Sequence, residues 1–349
     1  MSTVAPARKP QAIRFIEVKS NKEDESKRRK TCRFIEECGR VLKLPRVAIS
    51  TAEVFFHRFY AKHSFKDHDR FEVAVAALVL AAKTEEAPKK VNTIMQECYK
   101  VKARGMQGGR ISSQKLEDGS SPPPPPDHSP TTALDPKGEE FESLKERILL
   151  MERIMLHTIG FELSIDHPYK FFVEKIKKLI FARKLRYKKG NPAGPTKEVM
   201  AKMLNELVQY CMSLANDSYQ TSLCLQYSPE EIATACVYLA CQFDGVEPIE
   251  GLDWRTALGD PDIDTLSSIC VQILDLISEK KASDTEAVKK IRKTLELIKS
   301  QAERQQQQQQ QQQQEPAPPK RPLPPQEGKS TPPPGSASPG MANKRPRTG

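Results

Sequence analysis

Glu72–Lys83 reads EVAVAALVLAAK and Glu231–Gln242 reads EIATACVYLACQ, two matching segments set 159 residues apart (231 − 72). Apolar or small residues fill nearly every matching position, which points to a duplicated domain. Neither segment has a polar face. A helix that is apolar all round must be enclosed by other helices rather than lie on a surface. The copies differ at their last position, where Lys83 stands in the first and neutral Gln242 in the second. A charge on an otherwise buried helix therefore belongs to one domain only.

Working outward, helical periodicity places two five-helix units around these segments. The fold class expected is all-α, with two tandem five-helix domains, each holding one buried central helix. The expected boundaries are a disordered tail over 1–28, a first unit over 29–163 interrupted by a disordered proline-rich loop over 105–137, and a second unit over 164–281. A charged helix over 282–304 and a disordered glutamine- and proline-rich basic tail over 305–349 follow. In the first unit, helices are expected near Cys32–Leu42, Val47–His63, Lys90–Lys102 and from Glu139 on, besides the buried one. The second unit supplies Tyr169–Leu185, Thr196–Ala215, a short element near Asp253–Leu258 and Thr265–Ser278. Its buried helix carries a full start signal, with Ser228 as N-cap, Pro229 at the first helical position and Glu231 reaching back.

Composition narrows the function. No run of apolar residues is long enough for a membrane span, and MSTVAPARKP has no hydrophobic segment of the secretory kind. The eight cysteines are scattered without a C-x-x-C pair and the six histidines are dispersed, so reduced thiols and no metal site are expected. No phosphate-binding glycine loop, nucleophile elbow or dinucleotide fingerprint occurs, and neither a catalytic residue nor a cofactor is expected. The balance shifts towards a protein that binds others through grooves between helices. The net charge of +10 is partly gathered in KIKKLIFARKLRYKK, Lys175–Lys189, which has eight positive charges and no acidic residue. Such a stretch would attract RNA or an acidic partner surface, though a solvated helix face without aromatic platforms is the plainer reading.

One residue breaks the apolar pattern in the segment after Glu139. Glu152 has Ile148, Leu149, Met155 and Leu156 at the neighbouring helical positions, so its carboxylate leaves from a face that should be buried. An ionised group there needs a partner. Lys83 is the one cation at the end of the first buried helix, and a Lys83–Glu152 pair is expected. Otherwise Glu152 would sit at the stripe's edge and reach water alone.

Six separated blocks also resemble a known family. HRFYAKHSF (His57–Phe65), LAAKTEEAPKK (Leu80–Lys90), MERIMLHTIGFEL (Met151–Leu163), IDHPYKFF (Ile165–Phe172), NDSYQTSLCLQYSPEEIA (Asn216–Ala233) and CVQILDL (Cys270–Leu276) are similar, in this order, to the transcription-type cyclins of the K, T and L groups, K foremost. The resemblance covers roughly 30–280 outside the proline-rich loop, and it implies two cyclin boxes of five helices each. It also implies a regulatory subunit, not an enzyme, that activates a nuclear cyclin-dependent kinase acting on the C-terminal domain of RNA polymerase II in elongation or RNA processing. By position, Lys83 and Glu152 resemble the lysine and glutamate that contact the kinase in cyclins. Val79, Leu80, Leu156 and Phe161 would be the apolar contacts around them, with ordinary core packing as the competing reading. Ser121, Ser129, Thr331 and Ser338 each precede proline and fit a proline-directed kinase, so the bound kinase is expected to modify them. The other class considered is a basal transcription factor of the factor IIB type, which binds promoter DNA through the same box tandem but would carry an N-terminal zinc ribbon.

Overall fold

The computed structural model describes residues 22–114, 138–188, 196–281 and 285–314. The first unit is built from α1 (Lys22–Val41), α2 (Arg46–Lys62), α3 (Arg70–Thr84), α4 (Val91–Gln114) and α5 (Glu139–Thr158). Helix α3 is the first apolar segment. Asp69 starts it by accepting from the backbone N–H groups of Phe71 at 2.9 Å and Glu72 at 3.0 Å. Ten consecutive residues, Val73–Ala82, are buried, because α1, α2, α4 and α5 all pack against it.

The second unit repeats the plan with α6 (Pro168–Phe181), α7 (Lys197–Ser218), a single turn α8 (Leu223–Gln226), α9 (Pro229–Asp244), α10 (Trp254–Leu258) and α11 (Ile263–Lys281). Helix α9 is the second apolar segment. Its capping box is present, with Ser228 and Glu231 satisfying each other's backbone N–H, and Gly245 closes it in the left-handed conformation at φ 69°. Ile232–Cys241 are all buried. Two separate hydrophobic clusters result, one per unit. Helix α12 (Glu286–Gln314) adds Val288, Ile291 and Leu295 to the second cluster. All eight cysteines are free, and seven are buried.

Four boundaries differ from expectation. Helix α1 starts at Lys22, inside the expected tail, because Glu23, Asp24 and Glu25 suit the positive end of the helix dipole and Arg28 is buried. Arg28 Nη2 donates to the Tyr60 carbonyl at 2.6 Å. Helix α4 continues from 105 to Gln114, since extending a formed helix gains one hydrogen bond per added residue. Helix α12 likewise runs through the glutamine tract to Gln314, glutamine being a good helix former. The helix expected to reach Leu185 stops at Phe181, and Leu185–Tyr187 forms β1. It pairs antiparallel with β2 (Val246–Pro248), with Arg186 opposite Glu247.

A polar seam joins the two units. His57 Nε2 donates to the Tyr219 carbonyl at 2.8 Å, leaving Nδ1 to accept from Arg28. Thr51 Oγ1 donates to Glu85 at 2.7 Å and accepts from His167 Nε2 at 2.9 Å, while His167 Nδ1 accepts from the Tyr219 hydroxyl at 2.6 Å. Both imidazoles are thus held neutral. Burial, and next the charge of Arg28, pushes His57 down to about 3; burial, and next Arg46, pushes His167 down to about 4. Beside them Glu53 is fully enclosed, with Arg46 at 3.0 Å from one oxygen and no partner for the other. Burial outweighs Arg46 and pushes Glu53 up to about 8.

These shifts act in opposite directions on stability. A histidine held neutral destabilises the fold as pH falls below its unfolded value of 6.5. A carboxyl kept protonated loses its contribution as pH rises from its unfolded value of 4.5 through 8. Between pH 4.5 and 6.5 the two histidines outnumber the one carboxyl, and above 6.5 only the carboxyl acts. Urea denaturation across pH should therefore show a stability maximum near pH 6.5, and Glu53→Gln should flatten the alkaline side. A steady rise from pH 6.5 to 8 in the unsubstituted protein would contradict this assignment.

Candidate functional site

Lys83 lies in the last turn of α3, where a cation suits the negative end of the helix dipole. Its ammonium donates to both oxygens of Glu152 on α5, at 2.7 and 2.9 Å. The pair is asymmetric: the Lys83 side chain is 51% exposed and that of Glu152 only 10%. The carboxylate is sunk between buried Ile148 and Met155, and the ammonium caps it from the solvent side. Two of the three ammonium donors are used, which leaves one without a partner in the pair. What the outside sees at the end of a buried apolar helix is a fixed positive charge.

The rest of the predicted contact set divides. Val79 at 1% and Leu80 at 4% exposure belong to the first core and are not free to touch a partner. Their role is to hold Lys83 in place. Leu156 is half-buried against that core, one turn beyond Glu152. Phe161 is 59% exposed.

The end of α5 explains the position of Phe161. The N–H of Phe161 reaches back to the Leu156 carbonyl at 3.0 Å, and Ile159 N–H to Met155 at 2.9 Å. Closing the helix in this way puts Gly160 at φ 66° and Phe161 at φ 57°. Glycine adopts that conformation freely, but a bulky aromatic does so at a cost. The strain holds a ring at the surface, edge-on to His157 at 5.2 Å, and strained exposed residues cluster at functional sites. Leu149, one turn before Glu152, is 36% exposed although the sequence reading put it on a buried face, and Leu150, 50% exposed, lies two residues from Glu152 and so on another side of α5. The signal for their exposure was present, because Phe141, Leu144, Ile148, Met151 and Met155 already complete the core stripe of α5 and leave these two over.

The other predicted residues are elsewhere. Ser121, Ser129, Thr331 and Ser338 lie outside the described residues. The basic stretch 175–189 is partly used up by the fold. Lys175 donates to Thr234 Oγ1 at 2.7 Å and to the Leu258 carbonyl at 3.1 Å, and Arg186 pairs across the ribbon with Glu247 at 3.2 Å. The stretch does contain an aromatic platform, contrary to the sequence reading, because Phe181 is 77% exposed. Among the described residues no group of His, Cys, Asp or Glu is placed to hold a metal, and no helix is long and apolar enough to cross a membrane.

Comparison with known proteins places these features in a family. Residues 6–164 match the family model described as the cyclin N-terminal domain. Human Cyclin-K is 33% identical over 261 residues, covering 73% of this chain and 37% of that protein. Cyclin-T1-5 of Arabidopsis thaliana is 32% identical over 216 residues, covering 62% of this chain and 30% of that protein. Cyclin-L1 of Gallus gallus is 28% identical over 275 residues, covering 78% and 43%. The chain thus spans less than half the length of each of these three relatives.

The asymmetry of the pair is open to measurement. Lys83→Met should destabilise the protein by about 1–2 kcal/mol, between the limits for exposed and buried pairs, because it leaves an enclosed carboxylate unpartnered. Lys83→Met with Glu152→Met should cost less than the single substitution. Urea midpoints in which the two substitutions simply add would contradict the pairing.

Proposed function

The chain belongs to the cyclin family, and we propose that it is the activating subunit of a transcriptional cyclin-dependent kinase, docking through the surface around Lys83 and Glu152. The observation that carries this reading is the exposed ammonium clamped on a sunken carboxylate, with Leu149, Leu156 and Phe161 as its apolar rim. A charge fixed in this way needs no ordering when a partner arrives, and apolar flanks exclude water from it.

The mechanism follows from what a kinase requires. Its αC glutamate must pair with the β3 lysine, and αC position is the element that an activator can bias. A rigid helical surface that binds only the state with αC turned inward raises that state's population by differential affinity. The cyclin performs no chemistry. Glu85, held by Thr51, lies at the end of α3, and Val79 and Leu80, buried beneath, keep that end rigid.

The resemblance to the transcription-type cyclins supports the finer parts of the proposal. These are a kinase acting on the heptad-repeat tail of RNA polymerase II, a role in elongation or RNA processing, and a nuclear location served by the basic clusters PPKRPLPP and ANKRPRTG. Ser121, Ser129, Thr331 and Ser338 are then substrate positions for the bound kinase on the cyclin itself.

Immobilised chain should retain one cyclin-dependent kinase from nuclear extract and support phosphorylation of a heptad-repeat peptide. Lys83→Glu or Glu152→Lys should remove both while leaving the helical circular dichroism intact. Breaking a desolvated charge pair at an interface costs about 2–5 kcal/mol, roughly a thirtyfold to several-thousandfold loss of affinity. Wild-type retention of the kinase by Lys83→Glu would show that the site is misplaced.

A further inference from the structure

The end of α6 carries a feature that kinase docking does not use. Phe181, the last residue of α6, is 77% exposed, more than any other large apolar side chain among the described residues. Lys177 and Lys178 precede it by four and three residues, so they share its helix face. Arg183, at φ 49°, turns the chain out of the helix, and Lys184 and Lys188 follow. None of these five cations has a side-chain partner among the described residues, whereas Lys175 and Arg186 beside them are both engaged. Carboxylates flank the site: Glu174 lies on the same helix, Glu247 is paired with Arg186, Glu206 accepts from the Tyr187 hydroxyl at 2.8 Å with Asp244 beside it, and Glu250 follows Ile249, whose N–H donates to the Lys184 carbonyl at 3.0 Å.

We propose that Phe181 and the cations around it form a docking site for single-stranded RNA, with the ring stacking on one unpaired base and the lysines following the phosphates. An isolated exposed aromatic needs no explanation; an exposed ring with two lysines on its own helix face and two more cations in the turn that follows, none paired among the described residues, is the combination used by sequence-tolerant single-strand binders. A duplex fits poorly, since its bases are stacked inside and cannot reach a ring at a convex helix end. An acidic peptide fits less well than RNA. The exposed Phe181 ring decides between them, since a base offers a flat π-face that stacks on it and an aspartate or glutamate side chain does not. Stacking uses the π-face that every base has, so little discrimination among bases is expected. The site lies in the second unit, and the proposal stands whether or not the first unit docks a kinase.

The test uses the full chain and a fluorescein-labelled oligouridine, read by polarisation over a salt series. Binding should weaken steeply with salt. Phe181→Ala, a surface change, should weaken it about tenfold with the salt slope unchanged. Lys177→Gln with Lys178→Gln should reduce the slope by about 1.4, two single-strand phosphate contacts. The phenylalanine variant isolates this site from other basic segments of the chain. Equal binding by wild type and Phe181→Ala, equal binding of duplex and single strand, or displacement of the RNA by polyglutamate at matched charge would each overturn the proposal.

Discussion

A helix with no polar face cannot tolerate solvent, and the architecture follows from meeting that demand twice. Val73–Ala82 can be covered only by packing neighbours on every side, and the same holds for Ile232–Cys241. Once α3 is enclosed, a charge can leave the core only from its two ends: Glu72 in the first turn pairs with Arg147 on α5, and Lys83 stands in the last turn. Its side chain is half exposed and its ammonium sits on Glu152, so the charged head stays near water while its partner is enclosed. The candidate site is therefore a consequence of the core and not an addition to it.

The two units are joined by a different kind of contact. Their cores are separate, and neutral imidazoles, tyrosine hydroxyls and an enclosed carboxyl lie at the junction, where α2 also packs against α8 with its buried Leu225. Tyr169 is typical: its hydroxyl takes hydrogen bonds from Arg46 at 3.2 Å and Ser50 at 2.6 Å and gives one to Asn216 at 2.9 Å. Directional bonds of this sort fix one mutual placement, since every misplacement leaves buried polar groups unpaired. The Lys83 edge is thus held by the apolar core of the first unit, and that unit is held to the second by hydrogen bonds that respond to pH.

Much of this was legible where a residue violated its local pattern. Lys83 and Glu152 were each the one charge on an apolar face, and two such violations on separate helices pointed to each other. The capping box at Ser228 was legible because it is local. The seam was not, since His57 meets Tyr219 across 162 residues and His167 meets Thr51 across 116, and nothing in the chain marks those meetings. Val79 and Leu80 were ambiguous because a core residue and a docking residue have the same side chains; only exposure separates them. The start of α1 was hidden by a charge run with no apolar stripe, and the exposure of Phe181 by reading its helix one turn too long.

The account rests on the charge presented outward by the pair, not on the pair's existence. Exchanging the two residues, Lys83→Glu together with Glu152→Lys, keeps an ion pair between α3 and α5 but reverses which sign faces solvent. The direct measurement is kinase activation by this exchanged protein beside its urea midpoint. The account predicts a midpoint closer to wild type than that of either single substitution, with activation still lost. Recovery of activation along with stability would mean that the pair only braces the bundle, and that a kinase, if one docks, reads some other surface.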